Sequence, residues 1–254
     1  MIIHECLQGS AIWLSARSGI PTASCFDRIV TPTGKLSTQA DAYMHQLLAE
    51  RMLGRPITDV AVTSWMSRGT QLEAEAISFY ESMRELDTVR VGLCTNDAGT
   101  IGASPDRLVG DDGLLEIKCP KESTHVGYLL TGSAGSAYKP QVQGQLLVTG
   151  RAWVDLLSYS PDLPHALIRI ERDEDYIATL SKALDAFSEQ LEAKAAELRE
   201  RGWIAPGPAV PASAIVTLYD RAEPVDEAIL ASAWQHYSAR EKAVINAARA
   251  RRAA

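Results

Sequence analysis

The chain has 254 residues, 46% hydrophobic and 22% charged, the balance of a folded globular protein, which excludes wholesale disorder. Its 25 basic and 32 acidic residues give a formal net charge of −7, so the basic footprint of a nucleic-acid coating protein is missing, although a local basic groove remains open. No run approaches the roughly 18 apolar residues of a membrane span, the first residues lack a leader pattern, and Cys6, Cys25, Cys94 and Cys119 form no CxxC pair; a soluble, cytoplasmic protein without an iron–sulfur cluster is expected.

Residues 10–30 read as two short helices, broken at Ser18-Gly19-Ile20-Pro21-Thr22. A helix over 38–53 closes at Gly54, and another spans 63–83 with Trp65, Leu72, Ala76, Phe79 and Tyr80 towards one side. Then the texture changes. Three short strands are predicted over 88–94, 102–109 and 114–118, the last two joined by the turn Gly110-Asp111-Asp112-Gly113. Residues 136–149 return to helix, 152–159 and 165–170 form a second hairpin, and 173–202 is a long charged helix.

The expected fold class is therefore α/β, a central mixed sheet flanked by helices over residues 1–203. Residues 204–213 are rich in proline and alanine and read as a linker. A helical extension over 214–254 follows, with 225–251 as one amphipathic helix whose stripe holds Ile229, Trp234, Tyr237, Ile245 and Ala248. The acidity is localised: residues 171–201 hold nine acidic and five basic side chains, and this helix is expected to face away from any polyanion.

Several tempting motifs fail. Around Gly34-Lys35 the P-loop pattern is absent, because Leu36 follows the lysine and Ile29 stands where the first glycine belongs. Gly132-Ser133-Ala134-Gly135 has no central serine, and the five histidines form no HExxH. His125 is read as an ordinary core or surface residue.

The chemistry gathers between Gly102 and Pro120. On a strand, Glu116 and Lys118 point to one face and Ile117 to the core, while Asp106 on the preceding strand is brought back beside Glu116 by the turn. Two carboxylates so placed suit a hard cation such as Mg²⁺, and the lysine can orient a water and stabilise phosphoryl charge. A salt-bridged hairpin would use the same residues. Glu73 adds a carboxylate on the preceding helix, whereas Glu75 reads as surface charge. Tyr138, Gln141 and Gln145 share a helix face, and Gln143 reads as polar surface. Arg17, Thr22 and Ser24 surround a helix N-terminus, where they could bind a phosphate or simply cap the helix.

In order, Trp13, Arg17-x-Gly19-x-x-Thr22-Ala23-Ser24, Gly69-x-Gln71-x-Glu73, Ser104-Pro105-Asp106, Glu116-Ile117-Lys118-Cys119-Pro120 and Tyr138-x-x-Gln141-Val142-Gln143 resemble the phage-lambda-type alkaline exonucleases. These are viral recombinases of the PD-(D/E)xK nuclease superfamily, and the resemblance spans about residues 10–200. It implies a restriction-endonuclease-like core and a Mg²⁺-dependent 5′→3′ exonuclease on linear double-stranded DNA, leaving 3′ single strands for recombination with a single-strand annealing protein. By the same resemblance, Asp106, Glu116 and the carbonyl of Ile117 are metal ligands. Glu73 serves a second Mg²⁺, for which Mn²⁺ could substitute, and Lys118 with Gln141 handles the attacking water. Arg17, Ser24 and Ser104 match residues that bind the 5′-terminal phosphate, and a ring-shaped homotrimer is implied. Another nuclease of the superfamily and a non-catalytic DNA-end-binding module are the competing readings.

Overall fold

The structure, a computed structural model, describes residues 1–57, 64–204, 212–221, 225, 227–235, 237 and 239–253. Helix α1 (Ala11–Arg17) is capped by the Ser10 hydroxyl, which accepts from the Trp13 N–H. A 3₁₀ helix, η1 (Ala23–Arg28), follows, so both short helices are found. Helix α2 (Ala40–Leu53) ends at Gly54 in the left-handed conformation, and α3 (Ser64–Arg84) occupies the expected place.

Two of the three expected strands are each divided between two sheets. The 88–94 strand becomes β2 (Thr88–Arg90) and β3 (Leu93–Thr95), broken at Gly92. A side chain at Gly92 would come within 2.3 Å of the Cys6 carbonyl oxygen, so the N-terminal segment can cross there only over a glycine. The 102–109 strand becomes β4 (Gly102–Ala103) and β5 (Arg107–Val109), interrupted around Pro105, which has no N–H for a ladder. Asp106 therefore precedes β5 instead of lying within a strand.

One sheet has the order β1-β3-β4, using the unanticipated strand β1 (Ile2–His4). The other adds β6 (Gly113–Lys118), β7 (Trp153–Ser158) and β8 (Ala166–Glu171) in the order β2-β5-β6-β7-β8. All its neighbours are antiparallel except β6 and β7, which run parallel with Glu116 opposite Leu156. A parallel pair needs a crossover. It is made by α4 (Glu122–Thr131), which the sequence pattern missed, and α5 (Lys139–Thr149).

The five-stranded sheet is buried on both faces. Leu114, Val154 and Leu156 pack with Val142 and Leu146 of α5 and with Leu180 and Leu184 of α6 (Glu174–Glu200). Leu115, Ile117 and Leu157 pack instead with Ala76, Ile77 and Tyr80 of α3. On the α3 side, buried Asp155 accepts from the Tyr80 hydroxyl at 2.7 Å and pairs with Arg169. Gly144 lets α5 approach η1, since a Cβ there would stand 2.4 Å from the Phe26 ring. The acidic helix α6 buries Tyr176, Leu180, Leu184 and Leu191 and leaves Asp185, Glu189, Glu192, Glu197 and Glu200 exposed, an outward acidic face as expected.

The C-terminal extension differs from the single helix expected over 225–251. It forms α7 (Ala212–Asp220), α8 (Glu227–Trp234) and α9 (Ala239–Ala253), and most of the expected linker lies outside the described residues. The break after α8 is a turn in which the Tyr237 N–H donates to the Trp234 carbonyl. Folding back lets Ile215, Val216, Leu230, Tyr237, Ile245 and Ala248 share a small core, with Ile12 of α1 against it. Ile229 lies outside the described side chains. Among the described residues, no helix is long and apolar enough to cross a membrane.

Candidate active site

The site forms where the end of β6 faces α5. Strand alternation sends Leu115 and Ile117 towards α3, leaving Glu116 and Lys118 on the α5 side. Glu116 is 4% exposed, a burial that an ionised carboxylate tolerates only with donors around it. It has three. Lys118 Nζ and Gln141 Nε2 donate to Oε1 at 2.6 and 2.7 Å, and Gln145 Nε2 donates to Oε2 at 2.6 Å. Lys118 Nζ also donates to Gln141 Oε1 at 3.3 Å and lies 5.0 Å from the centre of the Tyr138 ring.

The Asp106 carboxylate is held by the Ile117 N–H, which donates to Oδ2 at 2.6 Å. The hairpin thus returns Asp106 to β6 as expected, from the loop before β5. Burial first, then the charges of Glu116 and Glu73, push the Asp106 carboxyl well above the usual range, against the Ile117 N–H and Lys118. For Lys118, burial works downward, but the Glu116 charge and hydrogen bond, with Asp106 and Tyr138, hold its ammonium above the usual value.

The fit to a divalent cation rests on this crowding. The charges of Glu116 and Glu73 both act against an ionised Asp106, and an oxygen-liganded cation would relieve that repulsion. Gln145 Oε1 is also buried without a partner, an acceptor left over at the same wall. The donor set suits Mg²⁺ or Mn²⁺. Glu73 acts on Asp106 through its charge; among the described residues no three His, Cys, Asp or Glu side chains gather closely enough to hold an ion by themselves.

The three residues expected at a terminal phosphate also come together. Arg17 donates to Thr22 Oγ1 at 2.8 Å and Ser24 Oγ at 3.1 Å, and its guanidinium stacks 4.3 Å from the centre of the Trp13 ring. The Trp13 indole N–H donates to Ser104 Oγ at 2.9 Å. Arg17, Ser24 and Ser104 line a small pocket of about 170 Å³ whose wall includes Gln141 and Gln145. The pocket therefore reaches the side chains that hold Glu116.

Three neighbours have different roles. Gln143 is a buried tie to the sheet edge, not polar surface: its Nε2 donates to the Glu171 carbonyl and its Oε1 accepts from the Asp173 N–H. Glu75 is exposed but accepts from the Tyr159 hydroxyl at 2.6 Å. His125 is a core residue between Ser158 Oγ and the Pro164 carbonyl. Gln145, absent from the expected site residues, was signalled only by its place on the Gln141 face of α5.

The YqaJ-like viral recombinase domain matches residues 12–152. An alkaline exonuclease from Laribacter hongkongensis, LHK-Exo, is 36% identical, with a TM-score of 0.69 over 76% of this chain and 98% of that one; its complex with dAMP gives the same figures. A phage-related exonuclease from Haemophilus somnus 129PT, 16% identical, shares the fold at a TM-score of 0.56 over 70% of this chain and 96% of its own. No curated protein matches. By the extent of the domain match and the likeness to LHK-Exo, the chain belongs to the YqaJ-like viral recombinase family.

Proposed function

We propose that this protein is a metal-dependent deoxyribonuclease that digests the 5′-ended strand of linear duplex DNA and leaves 3′ single strands. The observation that carries the reading is continuity. The pocket holding Arg17, Ser24 and Ser104 shares Gln141 and Gln145 with the Glu116–Lys118 centre, so a phosphate in the pocket lies next to the acidic site. A duplex interior presents no terminal phosphate, so the pocket favours ends. LHK-Exo binds dAMP, and a nucleoside 5′-monophosphate is the form in which a 5′ exonuclease releases nucleotides.

In this reading Asp106, Glu116 and the Ile117 carbonyl hold the cation, with Glu73 adding charge beside it. The bound ion supplies Lewis-acid charge and a more acidic water. The chain's own residues do the rest. Gln141 and Gln145 fix the Glu116 carboxylate, and Gln141 shares Lys118 between itself and Glu116. Lys118, with one N–H each on Glu116 and Gln141, has its third for the attacking water, while its positive charge stabilises the charge that develops on the phosphoryl oxygens. Arg17 carries the charge for the terminal phosphate, with Ser24 and Ser104 as hydroxyl partners. Supply of 3′ strands to a single-strand annealing protein and assembly as a homotrimer around DNA belong to the same reading.

Incubation with linear and covalently closed circular duplexes, with Mg²⁺ or with EDTA, tests it. Mononucleotide release from the linear DNA alone, lost in EDTA and in Lys118→Ala, is expected. Equal attack on closed circles would transfer the protein to the endonucleases of the superfamily, and binding without cleavage under Mg²⁺ or Mn²⁺ would leave it a DNA-end-binding module.

A further inference from the structure

A cleft of about 910 Å³ opens beside the terminal-phosphate pocket, and Arg17 lines both. Its far wall is made by β2, β5 and α3, through Arg90, Arg107 and Glu73. The antiparallel register places Arg90 directly opposite Arg107. Both lie on the α3 face of the sheet, since Val109, two residues beyond Arg107, packs with Ala76 and Ile77. Like charges directly opposite on neighbouring strands destabilise a sheet.

The surroundings offset little of this. Among the described residues, neither guanidinium makes an ion pair or a hydrogen bond. Arg107 acts on the charge of Glu81, whose carboxyl is held below the usual range chiefly by the Thr88 hydroxyl and N–H, with Arg107 the last contributor. Of the two carboxylates in the cleft wall, Glu73 acts on Asp106, and Glu50 is committed internally, accepting from the Gly19 N–H at 2.8 Å and from Gln46 and the Ile57 N–H at 3.3 Å. Arg17 is held by Thr22 and Ser24. Among the described residues, Arg90 and Arg107 are thus cations without an ion-pair partner, facing each other across one ladder step in a chain whose net charge is −7.

We propose that Arg90 and Arg107 form a second phosphate subsite, which grips the DNA backbone away from the 5′ terminus. A phosphodiester between the two guanidiniums replaces their repulsion by two charge-assisted contacts, and the planar fork of arginine suits phosphate oxygens. Asp106 immediately precedes Arg107, so the grip and the acidic centre share one stretch of chain. The subsite supplies the local basic surface that the overall charge does not. It rests on the nuclease reading for its ligand, but it assigns these residues a task separate from recognition of the end.

The test is equilibrium binding of the full chain to linear duplexes bearing either a 5′-phosphate or a 5′-hydroxyl, in EDTA to prevent digestion, across a salt series. The Arg90→Gln/Arg107→Gln variant should lose about tenfold or more in affinity for both duplexes alike, and the slope of log K against log salt should flatten by about one to two units. Its Tm should stay level or rise, because the like-charge pair is gone. Arg90→Lys/Arg107→Lys should keep most of the salt slope. Wild-type affinity and slope in the glutamine variant would overturn the proposal, as would a loss confined to the 5′-phosphorylated duplex, which would assign the pair to the terminal pocket. Failure of the wild type to bind linear duplex would remove the nuclease reading as well; binding by the wild type with no effect of the variants would remove the subsite alone.

Discussion

Glu116 is fixed by three donors, and Gln145 is the deepest of them, 1% exposed with its own Oε1 unpaired. Gln145→Leu keeps the approximate volume but removes the donor to Oε2. It should lower turnover about 10- to 100-fold and raise the Mg²⁺ concentration needed for half activity, with DNA affinity in EDTA unchanged. A Mg²⁺ titration of nuclease rate checks this. Arg17→Ala should abolish the preference for 5′-phosphorylated over 5′-hydroxyl ends, measured as the ratio of kcat/KM for the two, while leaving slow digestion of hydroxyl ends in place. The shared face of Glu116 and Lys118 was legible in the sequence because strand alternation fixes it, and the return of Asp106 to β6 was legible from the 110–113 turn. The task of Gln145 was not, since it depends on how α5 is rotated against β6. Nor was the opposition of Arg90 and Arg107, which exists only once the β2–β5 register is set.

Helix α5 serves both halves of the site at once, carrying Gln141 and Gln145 on one side and receiving η1, with Ser24, on another. That contact depends on Gly144 and Phe26. Gly144→Ala would force the Phe26 ring to move from 2.4 Å, and overpacking of this kind costs about 1–3 kcal/mol, so the Tm should fall by several degrees in a thermal melt. Unchanged melting would mean that η1 does not rest on α5 as described. The long helices, the 110–113 turn and the β7–β8 hairpin were legible because each carries its own local signal. The strand breaks at Gly92 and Pro105 were not equally so. At Gly92 the cause is the carbonyl of Cys6, far away in sequence. Helix α4 escaped because it lies at the surface with Val126 and Leu130 exposed, so it shows no clear apolar stripe.

Across the whole molecule, charge and appendage are both arranged around the cleft. The acidic face of α6 points to solvent, and cations line the cleft wall. Arg249 and Arg251, which look in sequence like a basic end to the extension, are paired with Glu227 and Asp220 within it. The extension instead supports α1, the helix that carries Trp13 and Arg17. Ile12 packs on its core, and Arg221 pairs with Glu5 just before the helix. Removal of residues 212–254 should therefore raise KM for 5′-phosphorylated DNA more than it lowers kcat, as steady-state kinetics on the shortened chain would show. No local pattern revealed this buttress, because among the described residues the short helices bury their apolar side chains against one another and Ile12 of α1.

In the proposed function, a terminal phosphate bound by Arg17, Ser24 and Ser104 delivers the adjoining bond to the Asp106–Glu116–Lys118 centre. A digestion time course on linear duplex labelled separately at its 5′ and 3′ ends, with and without a 5′-phosphate, tests it most directly. Early release of the 5′ label as mononucleotide from phosphorylated ends is expected, with the 3′ label retained on long single strands. Early release of the 3′ label, or equal rates from phosphorylated and hydroxyl ends, would contradict it.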